Sequence, residues 1–122
     1  MKDNIFAQDP AYDMKPTEEL LVLVERAGLL PRTRALAALA RRTPDDERLI
    51  DVVIRSITDS TNMGARIFGT ISVSHVGFAC LWEYGPAVAK LELRSLLAKW
   101  PEPDRSDLLW FLKSQDIAID NH

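Results

Sequence analysis

One cysteine, Cys80, and two histidines, His75 and His122, are all the thiol and imidazole that 122 residues contain. A lone thiol closes no internal disulfide, so a disulfide-stapled scaffold is excluded and a reducing, cytoplasmic setting is expected. A structural zinc site takes about four close nitrogen or sulfur ligands. His and Cys here cannot supply them, and neither metal nor cofactor is expected. No apolar run reaches the roughly 18 residues of a membrane-spanning helix, and residues 1–16 lack the apolar stretch of a signal peptide. No membrane partner is expected. Positive charge is not in excess: 15 Lys and Arg stand against 18 Asp and Glu, for a net charge of −3. Overall charge therefore gives no support to nucleic-acid binding, and only a local patch could. The phosphate-cradling patterns GxxxxGK[ST] and GxGxxG are both missing.

Apolar residues make up 47% of the chain, enough for one core in one domain of this length. Residues 1–16 read as an irregular N-terminal arm broken by Pro10 and Pro16, with Ile5, Phe6, Tyr12 and Met14 to dock it. Residues 17–115 read as a single helical domain and 116–122 as a C-terminal tail.

Within the domain, "TEELLVLVERAG" carries Leu20, Leu21, Val24 and Ala27 at helical spacing. Thr17 is placed to cap it, and Gly28 to end it in the left-handed conformation. "RTRALAALARR" turns Leu36, Leu39 and Ala40 inward. In "TPDDERLIDVVIRSI", Thr43 is the expected N-cap and Pro44 the first helical residue. Its apolar residues Leu49, Ile50, Val53, Ile54 and Ile57 form one broad face. Two later segments, "AVAKLELRSLLAKW" and "DRSDLLWFLKSQ", repeat the helical pattern on either side of "PEP". Segments 40–56 and 98–114 echo one another as helix end, Pro/Asp break and new helix.

Between these helices lies "STNMGARIFGTISVSHVGFACLW", rich in small and β-branched residues. Read as a helix from about residue 62, it lines up Phe68, Ile71, His75, Phe78 and Trp82 at 3,4,3,4 spacing. Read as strands, Ile67, Ile71 and Val73 alternate with Thr70, Ser72 and Ser74. Three glycines argue against the helix; the lack of an Asn-Gly or Asp-Gly turn argues against the hairpin. The helical neighbours favour the helix. The expected fold is thus all-α, five or six helices packed as antiparallel helical hairpins; the echo is what any two helix–turn–helix units show, and stacking of the HEAT or armadillo sort is the sharper reading. The alternative is a mainly α domain with one small β-hairpin around 66–82.

His75 and Cys80 do not form a nucleophile–base pair under either reading. Five residues apart, they diverge by about 140° on a helix and lie on opposite faces of a strand, whereas such a pair needs hydrogen-bond contact. The acid pairs Glu18/Glu19 and Asp45/Asp46 fall in first helical turns, where capping accounts for them. No enzymatic constellation is legible.

Arginines and surplus aromatics are left. Arg34, Arg41 and Arg42 belong to a group with Arg26, Arg32 and Arg48 that helices could bring to one surface. Guanidinium groups there suit carboxylate or phosphate contacts. Trp110 and Phe111 cannot both join the stripe of Leu108, Leu109 and Leu112, and Trp100 lies nearby. Exposed Trp beside Arg is characteristic of interface hot spots. The expected function is a non-enzymatic protein-interaction module such as an adaptor, inhibitor or immunity-type protein. It would bind a protein partner through Arg34, Arg41, Arg42, Trp100 and Trp110. The alternative is a nucleic-acid-associated regulator that uses the Arg face of the second and third predicted helices.

Overall fold

The computed structural model describes residues 7–119. Among them, eight helices and one two-stranded antiparallel sheet follow in the order α1 (Pro10–Asp13), α2 (Thr17–Arg26), α3 (Leu29–Arg42), α4 (Arg48–Thr58), α5 (Ser60–Gly64), β1 (Arg66–Phe68), β2 (Ile71–Ser72), α6 (Val73–Tyr84), α7 (Ala87–Lys99) and α8 (Asp104–Ser114). The fold is mainly α with one small hairpin.

The ambiguous segment divides. Its first part turns back on itself, with Arg66 paired to Ser72 and Phe68 to Ile71. Gly69 makes the turn at φ +54°, a left-handed conformation that glycine adopts without steric cost. Its second part is helical. The continuous helix expected from about 62 to 82 is thus broken at the hairpin. The residues spaced 3,4,3,4 belong to three elements: Phe68 is exposed on β1, Ile71 is buried on β2, and His75, Phe78 and Trp82 are buried on α6.

α6 is the centre of the domain. Every residue from Val73 to Trp82 is buried, as expected of a helix apolar on all sides. It packs against α3, α4, α5, α7 and α8. A helix with this many neighbours makes a globular core, unlike a solenoid in which each repeat meets only its neighbours. Gly77 permits the approach: a Cβ there would sit 2.7 Å from Leu36 Cδ2 and 3.0 Å from Ile57 Cγ1. Fully buried Phe78, Leu81, Leu36 and Ile57 each contribute roughly 1.5–3 kcal/mol by leaving water.

Local signals differ from expectation at three helix ends. Thr17 is the first residue of α2 rather than its cap, and its hydroxyl accepts from Arg42 Nη1 at 3.0 Å. Gly28 is extended, with φ −69° and ψ −175°, and leads into α3 instead of closing α2 in the left-handed region. Thr43 donates back to the Ala40 carbonyl at 2.7 Å and so ends α3. The start of α4 moves to Arg48, whose N–H reaches Asp46 Oδ1 at 3.2 Å. A hydroxyl bonded backward cannot cap forward. At the other end of the chain, Asp116 takes φ +60° and Ile117 N–H returns to the Leu112 carbonyl at 2.9 Å. This Schellman-type turn folds Ile117 onto the core.

Candidate functional site

A groove of about 730 Å³ lies between α2 and α4, in the size range of ligand sites. Helical spacing builds its walls. Leu21, Val24 and Glu25 share one face of α2; Val52, Arg55 and Ser56 share one face of α4, extended by Asp59. Arg32, from the first turn of α3, and Thr61 and Asn62 of α5 complete the lining.

One end of the groove is held rigidly. Arg32 Nη1 donates to Asn62 Oδ1 at 3.0 Å, and Nη2 donates to the Ala27 carbonyl at 3.0 Å. Asn62 Nδ2 donates in turn to the Ser56 carbonyl at 2.9 Å. Asp59 Oδ1 accepts from the N–H groups of Thr61 and Asn62 at 2.9 and 3.2 Å. Arg32 Nε is buried with no hydrogen-bond partner, which costs stability unless something answers it. The other charges differ. Glu25 on α2 and Arg55 on α4 are exposed. Among the described residues none of the four charges Arg32, Asp59, Glu25 and Arg55 has an ion-pair partner, but Arg32 and Asp59 are held by hydrogen bonds, whereas Glu25 and Arg55 are not. The groove therefore offers an apolar strip of Leu21, Val24 and Val52, with one free anion and one free cation on facing elements.

A second polar cluster is closed. His75 is 0% exposed. Its Nδ1 accepts from Ser72 N–H at 3.2 Å, and its Nε2 lies 3.0 Å from Asp104 Oδ2. That pattern assigns the neutral tautomer with the proton on Nε2. Trp100 Nε1 donates to the same oxygen at 2.6 Å, and Arg66 Nη1 reaches Asp104 Oδ1 at 3.1 Å. Burial lowers the His75 pKa against the opposing pull of Asp104. Burial alone would raise Asp104, but the hydrogen bonds from Trp100 and His75 outweigh it and hold the carboxyl below its ordinary value. With both ring nitrogens engaged and no exposure, His75 meets no substrate. Burial pushes the Cys80 thiol up to about 12, far from the reactive thiolate range. Among the described residues, no three His, Cys, Asp or Glu side chains gather closely enough to hold a metal ion.

The residues singled out from the sequence fall in three places. Arg34, Arg41 and Arg42 do share a face, on α3, and residues 9–15 lie over it. Arg34 grips Asp9 with Nε at 2.7 Å and Nη2 at 2.8 Å, and Arg41 Nη2 reaches Asp13 Oδ1 at 2.7 Å. Arg42 Nη2 donates to the carbonyls of Asp13 and Lys15 at 2.8 and 2.6 Å. Trp100 is buried at the His75 cluster, edge-on to Phe78 with ring centroids 5.8 Å apart. Trp110 is 63% exposed on α8, while Phe111 takes the inward position.

Sequence reasoning missed Glu25, Arg55, Asp59 and Asn62. Each reads alone as an ordinary helix-surface or capping residue, and only the packing of α2 and α4 around α3 makes them neighbours. The Arg66–Asp104–His75 contacts span 29 to 38 positions and have no local signal either.

No helix among the described residues is long and apolar enough to cross a membrane. No family model matches the sequence, and neither a curated protein nor a solved structure matches it.

Proposed function

We propose that this chain is a non-enzymatic protein-interaction module of the cytosol and that the groove between α2 and α4 receives a segment of its partner. The observation that carries the reading is the pair Glu25 and Arg55, opposite charges without ion-pair partners on either side of an apolar strip. The matching segment carries an apolar anchor with a basic residue on one side and an acidic residue on the other, in the manner of peptides seated in helical grooves. Charge complementarity of this kind sets orientation and register. The inward-facing chemistry of His75 and Cys80 supports a binding role over a catalytic one. Nucleic-acid binding has less support, because Asp9 and Asp13 already answer the charge of Arg34 and Arg41.

The test is site-specific photo-crosslinking in lysate of the source cells, with benzoylphenylalanine replacing Thr61 at the groove or Val88 on α7. The expected result is one discrete adduct from position 61 that Arg55→Glu removes, and none of that mass from position 88. Equal labelling from both positions would refute the groove as the docking site.

A further inference from the structure

The attachment of the N-terminal arm is a bound peptide in all but covalent linkage. Helix α1 buries no side chain, and Met14 is 87% exposed. What holds the segment is charge, stacking and the half-buried Tyr12 ring, which packs against the core. Arg34 takes Asp9 through two hydrogen bonds and lies over the Tyr12 ring, with Cζ 4.2 Å from its centroid. Arg41 takes Asp13 through Nε and Nη2. Arg42 collects the carbonyls at the end of the turn and Thr17 Oγ1. Each arginine reads a different part of one short segment: a first carboxylate with a ring, a second carboxylate, and a backbone turn. Planar guanidinium groups suit all three contacts.

We infer that the face formed by Arg34, Arg41 and Arg42 is a docking surface for an acidic peptide and that the chain's own residues 9–15 occupy it in cis. The partner that displaces the arm presents the same chemistry: two carboxylates four residues apart, with an aromatic ring just before the second. This surface is separate from the groove between α2 and α4. The arm has the advantage of tethering, which acts as a high effective concentration. An incoming segment therefore sees only the fraction of molecules whose arm is open, and its apparent affinity falls by that fraction. Helix α1 has no fully buried side chain and each ion pair keeps one partner at least one-third exposed, so opening costs less than breaking a buried contact.

The test uses the full chain and a dye-labelled peptide with the sequence of residues 8–16. In Asp9→Ala/Asp13→Ala the arm loses both carboxylates and the arginines are released. The peptide should bind this variant about fivefold tighter than the wild type, the gain that removing a tethered competitor worth about 1 kcal/mol gives. Binding should weaken with salt and vanish for a peptide whose two Asp are Asn. It should also vanish when Arg34→Ala and Arg41→Ala are added. Absence of saturable binding to the variant, with its near-ultraviolet dichroism intact, would overturn the inference, and so would equal binding of the Asn peptide. A concentration-dependent wild-type dimer that Asp9→Ala/Asp13→Ala abolishes would identify the occupant as the arm of a second copy and overturn the separate partner.

Discussion

Two polar junctions tie irregular segments to the helical body, and they are built to different standards. At one, Asp104 accepts from Trp100, Arg66 and a His75 ring that no water reaches. It locks the β-hairpin, α6 and the α7–α8 corner together. At the other, Arg34 and Arg41 hold Asp9 and Asp13 at comparable distances, but with side-chain exposures of 49% and 22% for the first pair and 11% and 35% for the second. The hydrogen-bond lengths are alike and the surroundings are not. In a buried cluster, removing one member strands the others without water; at the surface, water replaces the lost partner. The buried cluster is accordingly a structural device, and the exposed strap is one that can open.

The sharpest way to break this comparison is Asp104→Ala. It leaves Trp100 Nε1 and His75 Nε2 without an acceptor and should lower stability by about 3 kcal/mol, in the range for breaking a buried polar pair. Urea unfolding checks this. A loss below about 1 kcal/mol would place the cluster in the same class as the strap.

Acid should act next. The His75 pKa is lowered in the fold by burial, so the unfolded chain takes up a proton that the folded chain resists. Stability should therefore fall as pH drops below about 6.5, the unperturbed histidine value. Asp104, lowered in the fold despite its burial, adds a second loss as pH falls below about 3.8. In His75→Gln the upper loss should disappear from the dependence of the unfolding free energy on pH. Its persistence unchanged would assign it elsewhere.

The strap should matter least for stability. Asp9→Ala/Asp13→Ala should cost no more than about 1 kcal/mol, the range for exposed ion pairs. Half-molar salt should shrink even that difference, because such pairs are screened. Hydrogen exchange should show faster exchange confined to residues 9–15 in the variant. Slowed folding or exchange spread through α3 would make the arm part of the core.

Sequence legibility follows the same division. Helices with one apolar face could be read because their signal is local: α2, α4 and α8 carry it at 3,4 spacing. The hairpin could be read only as an alternative. Its turn is Gly69-Thr70, a glycine-first signal that a search for Asn-Gly or Asp-Gly passes over. Thr43 looked like a forward cap because residue type alone does not say which way a hydroxyl bonds. The arginines of α3 were visible as a group. Their engagement by Asp9 and Asp13, 25 and 28 residues away, was not. The groove was the least legible feature of all, since its charges come from three helices and the link at Asp59, and each has an ordinary local explanation.

The most direct test of the central claim joins stability and capture in one variant, Glu25→Ala/Arg55→Ala, carrying the photo-crosslinker at position 61. If the two charges serve a partner, the unfolding midpoint should stay within about 2 °C of the unsubstituted chain, as for surface changes that touch no internal contact. The adduct should fall at least about tenfold, since two charge contacts to the partner are lost. An undiminished adduct would contradict the account. So would a loss of stability approaching that of Asp104→Ala, because it would make Glu25 and Arg55 members of the fold rather than of the site.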